Sequence, residues 1–352
     1  MNRFYDSLSG QERASVQDVA LTYGRTVKRD YRRLLSAKVA STSPYYVGLS
    51  SDRRSFTHVT KRMVLVADTM LLSDHGVGAV HELGEYADTY HTEGNLDVGQ
   101  PSQTIRSTWR YGMVTGDLVE LGQWLLDAEP LLRSGLVWYG PVFTEGSVGT
   151  EWTLRGEQEM NSQAGPLPSF SDRSIDFVVE HGRAVDLASA KPLASRVVRP
   201  ILEIDLPFID GLSLSDFAQV TSEEFDSYRQ YRDFMRSRLL ELDDALEAVD
   251  SQVALERVAL SMRDELNVAT VEMSSAARSR ALNRSGAVLG TTSAVLAAVR
   301  PEALQGALAF SATMAAGATG LWPTIQAFAD IKPKRTHGKW HYVWVLQKKG
   351  AR

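Results

Sequence analysis

Apolar residues recur at helical spacing through the first forty residues of the chain. Ser9 and Glu12 open this pattern in the arrangement of a capping box, in which each side chain bonds the backbone N–H of the other residue. The spacing predicts one long helix beginning at Ser9. Its apolar stripe consists of Val16, Val19, Tyr23, Val27, Tyr31 and Leu34. Its second half carries a basic patch of Arg25, Lys28, Arg29, Arg32 and Arg33.

The middle of the chain mixes short apolar runs with longer amphipathic stretches. The run Met63–Leu72 is too short to cross a membrane and predicts a buried strand. Residues 103–133 place leucines at helical spacing and predict a helix punctuated at Gly116. Runs with β-branched or aromatic character predict three more short strands, at residues 135–143, 175–179 and 201–206.

The last third of the chain has helical periodicity almost throughout. Thr221 and Glu224 form the pattern of a second capping box. Apolar residues over 225–253 then recur in alternating steps of three and four, and a second run continues over 255–273. Such stripes favour antiparallel helices that pack on each other over an exposed dimer zipper.

The closing segment 340–346 alternates aromatic with other residues and predicts a strand that returns to the sheet of the middle domain. The expected fold class is α+β: a mixed α/β central domain with a small sheet, and a large, mostly helical C-terminal part. We expect a basic N-terminal helix and linker at 1–62, the mixed domain at 63–207 and a helical domain at 208–339.

A Gly- and Ala-rich segment, residues 285–329, is uncharged except for a short polar interruption and predicts a helical hairpin. Close helix approach is indicated by small residues, and Trp322 with the following proline ends or kinks the second helix. The small residues are Gly286, Gly290, Gly317 and Gly320. The hairpin either packs inside the chain or inserts into a membrane, where the basic residues Lys334 and Arg335 would meet anionic headgroups.

Composition narrows the classes of chemistry. The chain has no cysteine, which excludes disulfides, thiol nucleophiles and thiolate metal sites. The N-terminus lacks the apolar stretch of a secretory signal, so we expect a cytoplasmic protein, with membrane association as the alternative.

Charge is distributed unevenly although the net charge is only −5. Residues 1–62 carry 12 basic and 5 acidic side chains, and residues 331–352 carry 7 basic and no acidic ones. The acidic body between them either neutralises these ends within the fold or leaves them to attract phosphate on nucleic acid or a membrane. No nucleic-acid motif supports the second interpretation.

Three of the 7 histidines cluster in the sequence: His75, His81 and His91. If the residues around 80–90 are helical, His81 and Glu85 share one face at i and i+4, a spacing that can hold a divalent metal. Ordinary pairing of polar residues on a solvated segment explains the same pattern.

Four carboxylates are candidate catalytic groups. The stretch that contains Asp68 and ends in Asp74 resembles the opening strand of nucleases that carry an Asp at the strand end. Glu203 and Asp205 alternate in a predicted strand and would project to the same side as a carboxylate pair. Polar alternation on a half-exposed strand gives the same pattern without chemistry.

No nucleotide-binding motif, nucleophile elbow or kinase signature is present, and we predict no cofactor. The sequence therefore favours an interaction or assembly protein that acts through a protein partner or self-association. A membrane-active helical effector that uses residues 285–329 is the first alternative. A metal-dependent hydrolase or nuclease around His75 to Glu93 is the second.

Overall fold

The computed structural model describes residues 1–75, 78–92, 103–153, 156–161, 165–166, 174–188, 190–203, 206–250 and 338–350, together with residues 253, 254, 257 and 261. The fold is α+β, as expected, with one parallel and one antiparallel sheet among helices. A single apolar core runs through it, because buried side chains from Phe4 to Leu346 form one contiguous cluster.

Three N-terminal helices, α1 (Asn2–Ser7), α2 (Gly10–Ala14) and α3 (Val16–Ala40), replace the single long helix expected from the spacing. The capping box of Ser9 and Glu12 is confirmed, but it starts only the short α2. The backbone becomes extended at Ser15, whose side chain caps α3 by accepting a hydrogen bond from the N–H of Asp18. A second cap therefore divides the predicted helix in two.

The parallel sheet places its strands in the order β10, β9, β1, β2, β5, and only β10 runs antiparallel to its neighbour. These strands are β1 (Tyr46–Ser51), β2 (Thr69–Asp74), β5 (Val137–Tyr139), β9 (Phe177–Glu180) and β10 (Arg183–Asp186). From β1 the chain moves outward on one side through β2 and β5, and then returns to the opposite side of β1 as β9. The direction of the connections thus reverses between β1 and β9.

The second sheet is antiparallel and contains the longest strands. They are β3 (Ala79–Thr92), β4 (Gln103–Thr115), β6 (Val142–Thr153), β7 (Gly156–Asn161) and β8 (Gly165–Pro166). The strand β4 lies in the stretch for which the sequence predicted a helix, so that prediction was wrong up to Gly116. Pairing of β4 with both β3 and β6 satisfies its backbone, and its β-branched and aromatic residues suit a sheet.

Helices cover the parallel sheet and form the C-terminal part of the described fold. They are α4 (Phe56–Val64), α5 (Leu118–Asp127), α6 (Glu129–Ser134), α7 (Pro192–Glu203), α8 (Pro207–Asp210), α9 (Leu214–Glu223), α10 (Phe225–Glu247) and α11 (Lys339–Gly350). Of the helical stripe, Tyr228, Met235, Leu239 and Leu242 are buried on α10, whereas Phe225 is exposed. Residues 255–256 and 262–337, with the hairpin 285–329, lie outside the described residues.

Four further predictions of local structure were wrong. Met63–Leu72 begins in α4, turns, and becomes β2 only at Thr69, because both elements are buried and an apolar run alone cannot separate them. A strand was predicted at residues 201–206, but residues 201–203 are the last residues of the helix α7. The buried side chains of this helix, Val197, Val198 and Ile201, lie at helical spacing. The second capping box is absent, since α9 continues through Thr221 and no side chain caps α10.

The fourth correction concerns the expected returning strand 340–346, which is part of the helix α11. Tyr342, Val343 and Leu346 are buried at helical spacing. The helix packs on α8, α9 and α10, and Tyr342 shares a 2.8 Å hydrogen bond with the hydroxyl of Thr221. The aromatic residues therefore fill a helix interface and not a sheet. None of the helices in the described ranges has the length and apolar character that a membrane crossing needs.

Candidate functional site

A cleft of about 750 Å³ opens at the carboxyl ends of three parallel strands. It lies where the strand connections reverse: one group of lining residues follows β1, His75 follows β2, Glu180 ends β9 and His181 follows it. The start of α5 closes another side. The lining residues are Asp52, Arg53, Arg54, Ser55, His75, Gly116, Asp117, Glu120, Glu180 and His181.

A buried ion pair lies beneath this cleft. The Nη2 atom of Arg53 pairs with Oδ2 of Asp74, and it also donates hydrogen bonds to the hydroxyls of Thr115 at 2.9 Å and Tyr139 at 3.1 Å. The Tyr139 hydroxyl in turn donates to the same Asp74 oxygen at 2.6 Å. Strands β2, β4 and β5 and the turn after β1 thereby meet at one carboxylate.

Burial controls the protonation of this cluster. The side chains of Arg53 and Asp74 are only 8% and 6% exposed. Burial raises the pKa of Asp74, while the charge of Arg53 and hydrogen bonds from Tyr139 and Thr115 oppose that rise. Burial and the neighbouring Asp74 charge hold the pKa of Tyr139 well above its usual value. Tyr139 therefore remains a neutral hydrogen-bond donor across the physiological range.

The Arg53 guanidinium is held in place, but not all of its N–H groups are hydrogen-bonded to a described residue. Its central carbon lies 4.1 Å from the ring centre of Phe56, which fixes its plane. The Nε and Nη1 atoms are buried and have no hydrogen-bond partner among the described residues. Unpaired buried donors on a charged group are costly, so a ligand that hydrogen-bonds to them would offset that cost.

The rim of the cleft is mostly acidic. Asp52 caps the short helical turn after β1, and Asp117 caps α5 by accepting from the N–H groups of Val119 and Glu120. Glu120 and Glu180 are exposed and form no ion pair with a residue in the described ranges. Only Arg54, also exposed, adds a further full positive charge.

Two histidines reach the cleft from strand ends. Nδ1 of His75 lies 2.9 Å from the hydroxyl oxygen of Ser50 on β1. His181 occupies the two-residue turn between β9 and β10, with φ of 51°, followed by Gly182 with φ of 79°. Positive φ at both positions is the geometry of a type I′ turn, which favours Asn-Gly, so His181 adopts it at a cost.

The histidines predicted as metal ligands do not share a helix. His81 and Glu85 lie on β3, with a register shift between Glu82 and Gly84, so the i, i+4 helical premise was wrong. His91 is ten residues along the same strand, roughly 30 Å away from His81 at the usual rise per residue. Within the described residues, no group of three or more potential ligands could hold a metal ion. Of the predicted metal ligands, only His75 lines the cleft.

The predicted catalytic carboxylates are dispersed. Asp68 precedes β2 and pairs with Arg236 at 2.8 Å and Arg232 at 3.3 Å, which ties α10 to the parallel sheet. Glu203 is the last residue of α7, not part of a strand, and Asp205 lies outside the described residues. Asp74 does end a strand, and it reaches the candidate site through its pair with Arg53.

The basic patch on α3 is partly used within the fold. Arg25 donates to the carbonyl of Leu83 at 3.0 Å, and Lys28 lies over the rings of Tyr111 and Phe143. Arg29 and Arg33 are exposed. The remaining predicted basic and hairpin positions lie outside the described side chains: Arg32, Lys334, Arg335, Gly286, Gly290, Gly317, Gly320 and Trp322.

Sequence reasoning missed Arg53, Thr115, Tyr139 and most of the rim. One signal was available, because a short apolar run, residues 45–49, is followed directly by the polar run Ser50 to Arg54. A buried strand followed by charged residues marks a carboxyl end, where parallel sheets place their sites. Comparisons with known protein families, curated proteins and solved structures found no match to this chain.

Proposed function

We propose that the chain binds a small polar molecule in the cleft at the carboxyl ends of β1, β2 and β9. The observation that carries this proposal is the coincidence of the cleft with the reversal of strand connections between β1 and β9. Open parallel sheets bind ligands in the crevice at such a switch point. The volume of the cleft is also within the range of small-molecule sites.

The lining supports a polar ligand more than an apolar one. Nine of the ten lining residues carry a charged, hydroxyl or imidazole side chain, and the tenth is Gly116. The Arg53 guanidinium beneath the cleft is held by Asp74, Tyr139 and Phe56. Groups held rigidly before binding lose less entropy when the ligand arrives.

The function expected from the sequence, association with a protein partner or a second copy, remains a separate proposal. So do membrane insertion of residues 285–329 and metal-dependent hydrolysis. Residues 285–329, on which membrane insertion depends, lie outside the described residues.

A ligand-observed NMR screen tests the proposal. The full chain is mixed with nucleosides, nucleotides, sugars and amino acids, and binding is compared between the natural chain and Glu180→Trp. Glu180 is exposed at the end of β9 and lines the cleft, so a bulky ring there fills space without disturbing the core. We expect at least one compound that binds the natural chain and does not bind Glu180→Trp.

Arg183→Trp is the matched control. Arg183 faces Glu180 in the β9–β10 register and is also exposed, but it does not line the cleft. Binding should persist in the control. The proposal fails if no compound binds, or if every bound compound binds both variants equally.

A further inference from the structure

The orphaned donors of Arg53 point to an anionic group on the ligand. Nε and Nη1 are buried without a partner, and Arg53 lines the cleft. Guanidinium N–H groups bind carboxylates and phosphates in charge-assisted hydrogen bonds. The Nη2 atom is already committed to Asp74, Thr115 and Tyr139, so this orientation is set before any ligand binds.

The charges around Arg53 limit how much negative charge the ligand can bring. Asp74 balances Arg53 at the floor. Among the lining residues, the rim adds four carboxylates, of Asp52, Asp117, Glu120 and Glu180, against the one cation Arg54. Each extra negative charge on a ligand is repelled by this surplus of carboxylates.

The acidic rim can also bind a positively charged group of a ligand. Asp52 and Asp117 are engaged as helix caps, whereas Glu120 and Glu180 form no ion pair with residues that the structure describes. A positive group on the ligand would be attracted to these two carboxylates. A ligand with one anionic and one cationic group is therefore complementary to both parts of the cleft.

We propose that the cleft takes a zwitterionic small molecule, with its carboxylate hydrogen-bonded to Arg53 and its ammonium group at the rim formed by Glu120 and Glu180. This rests on the proposed function, because it names the ligand class of the same site. The inference predicts that removing either charge from the ligand weakens binding.

Isothermal titration calorimetry of the full chain tests this with three probes that share one carbon skeleton: γ-aminobutyrate, butyrate and butylamine. We expect γ-aminobutyrate to bind about two- to fivefold more tightly than butyrate, which lacks the pair with the exposed glutamates, and about tenfold more tightly than butylamine, which lacks the contact with the buried Arg53. The rim variant Glu120→Gln/Glu180→Gln should weaken binding of γ-aminobutyrate and should not weaken butyrate, which binds as tightly or more tightly because two negative charges that repel it are gone. Both positions are exposed, so the variant should fold.

The variant Arg53→Lys tests the contact between Arg53 and the ligand carboxylate. It retains the positive charge but loses Nη1 and the planar set of guanidinium donors. It should weaken both butyrate and γ-aminobutyrate. Glu223→Gln, on an exposed glutamate of α9 away from the cleft, is the control and should change neither. If Arg53→Lys does not fold, the rim variant still decides the result.

The inference is overturned if butyrate or inorganic phosphate binds as tightly as γ-aminobutyrate, or if the rim variant leaves γ-aminobutyrate unaffected. It is also overturned if none of the three probes binds while Glu180→Trp abolishes binding of an uncharged nucleoside or sugar. In that last case the proposed function stands. The proposed function and this inference both fail only if the NMR screen finds no ligand that binds in the cleft.

Discussion

Tyr139 and Asp74 are joined by a 2.6 Å hydrogen bond between neighbouring strands of the parallel sheet. The Tyr139 carbonyl also accepts a 2.8 Å hydrogen bond from the hydroxyl of Tyr23 on α3. One residue thus links the long N-terminal helix to the carboxylate that holds Arg53. The position of the candidate site consequently depends on packing between segments that are far apart in sequence.

Replacing Tyr139 with Phe should lower the free energy of unfolding by about 2 kcal/mol, because the buried Asp74 loses a charge-assisted hydrogen bond. Tyr23→Phe is the matched control: it also removes a buried tyrosine hydroxyl, but from a neutral carbonyl acceptor, and should cost about 1 kcal/mol. Urea denaturation measures both. A larger loss of unfolding free energy in Tyr23→Phe than in Tyr139→Phe would contradict the role assigned to the hydrogen bond with Asp74.

Asp68→Asn should destabilise the protein at neutral pH by about 1 kcal/mol and have no effect in acid. Burial alone would raise the pKa of Asp68, but hydrogen bonds from Ser43 and Arg236 and the charges of Arg236 and Arg232 lower it below its ordinary value of 3.8. Its stabilisation is therefore present above that value and is lost as pH falls through the lower folded-state pKa.

Urea denaturation of the natural chain and of Asp68→Asn between pH 7 and pH 3 measures the difference in their free energies of unfolding. Asp233→Asn is the control, because the Asp233 side chain is 62% exposed and contacts the same two arginines at longer distances. Its effect should be smaller at every pH. A difference for Asp68→Asn that grew in acid would reverse the sign of the assigned pKa shift.

His181→Asn should stabilise the fold by roughly 0.5–1 kcal/mol, since asparagine tolerates the left-handed backbone of the first turn position better than histidine. His181→Ala retains the strain and should leave the free energy of unfolding nearly unchanged. Thermal denaturation distinguishes the two variants. Equal stabilisation by both would show that the imidazole, and not the backbone, carries the cost.

Gly122→Ala should destabilise the protein by at least about 2 kcal/mol, because helices α3 and α5 approach too closely for a side chain. A Cβ atom at Gly122 would lie 1.7 Å from the carbonyl oxygen of Val16. Gly10→Ala is the control: it begins α2 with nothing within 4 Å of the added atom. That variant should be neutral or slightly stabilising.

Local signals in the sequence predicted some elements correctly for identifiable reasons. The capping box of Ser9 and Glu12 depends on residues three apart, so the sequence alone specifies it. Leu121, Leu125 and Leu132 are buried as their spacing indicates, although the helix that was expected to carry all of them is divided at Ala128. Element boundaries were less predictable, because buried helices and buried strands both contain continuous apolar runs.

The candidate site was largely beyond sequence reasoning. His75 and Asp74 were named, but as parts of metal or nuclease sites and not as neighbours of Arg53. Arg53 is separated from Asp74 by 21 positions, from Thr115 by 62 and from Tyr139 by 86. No periodicity links residues at such separations, since only the pairing of strands brings them together.

The sequence by itself determined the α+β class, the absence of thiol chemistry and the capping box of Ser9 and Glu12 that begins α2. These properties depend on composition and on hydrogen bonds between near neighbours. Only the tertiary structure decided that residues 103–115 form a strand, that residues 340–346 form a helix, and that a cleft lies over Arg53. The physical reason is that each of these outcomes depends on the partner against which a segment buries its apolar face, and the partner is distant in sequence.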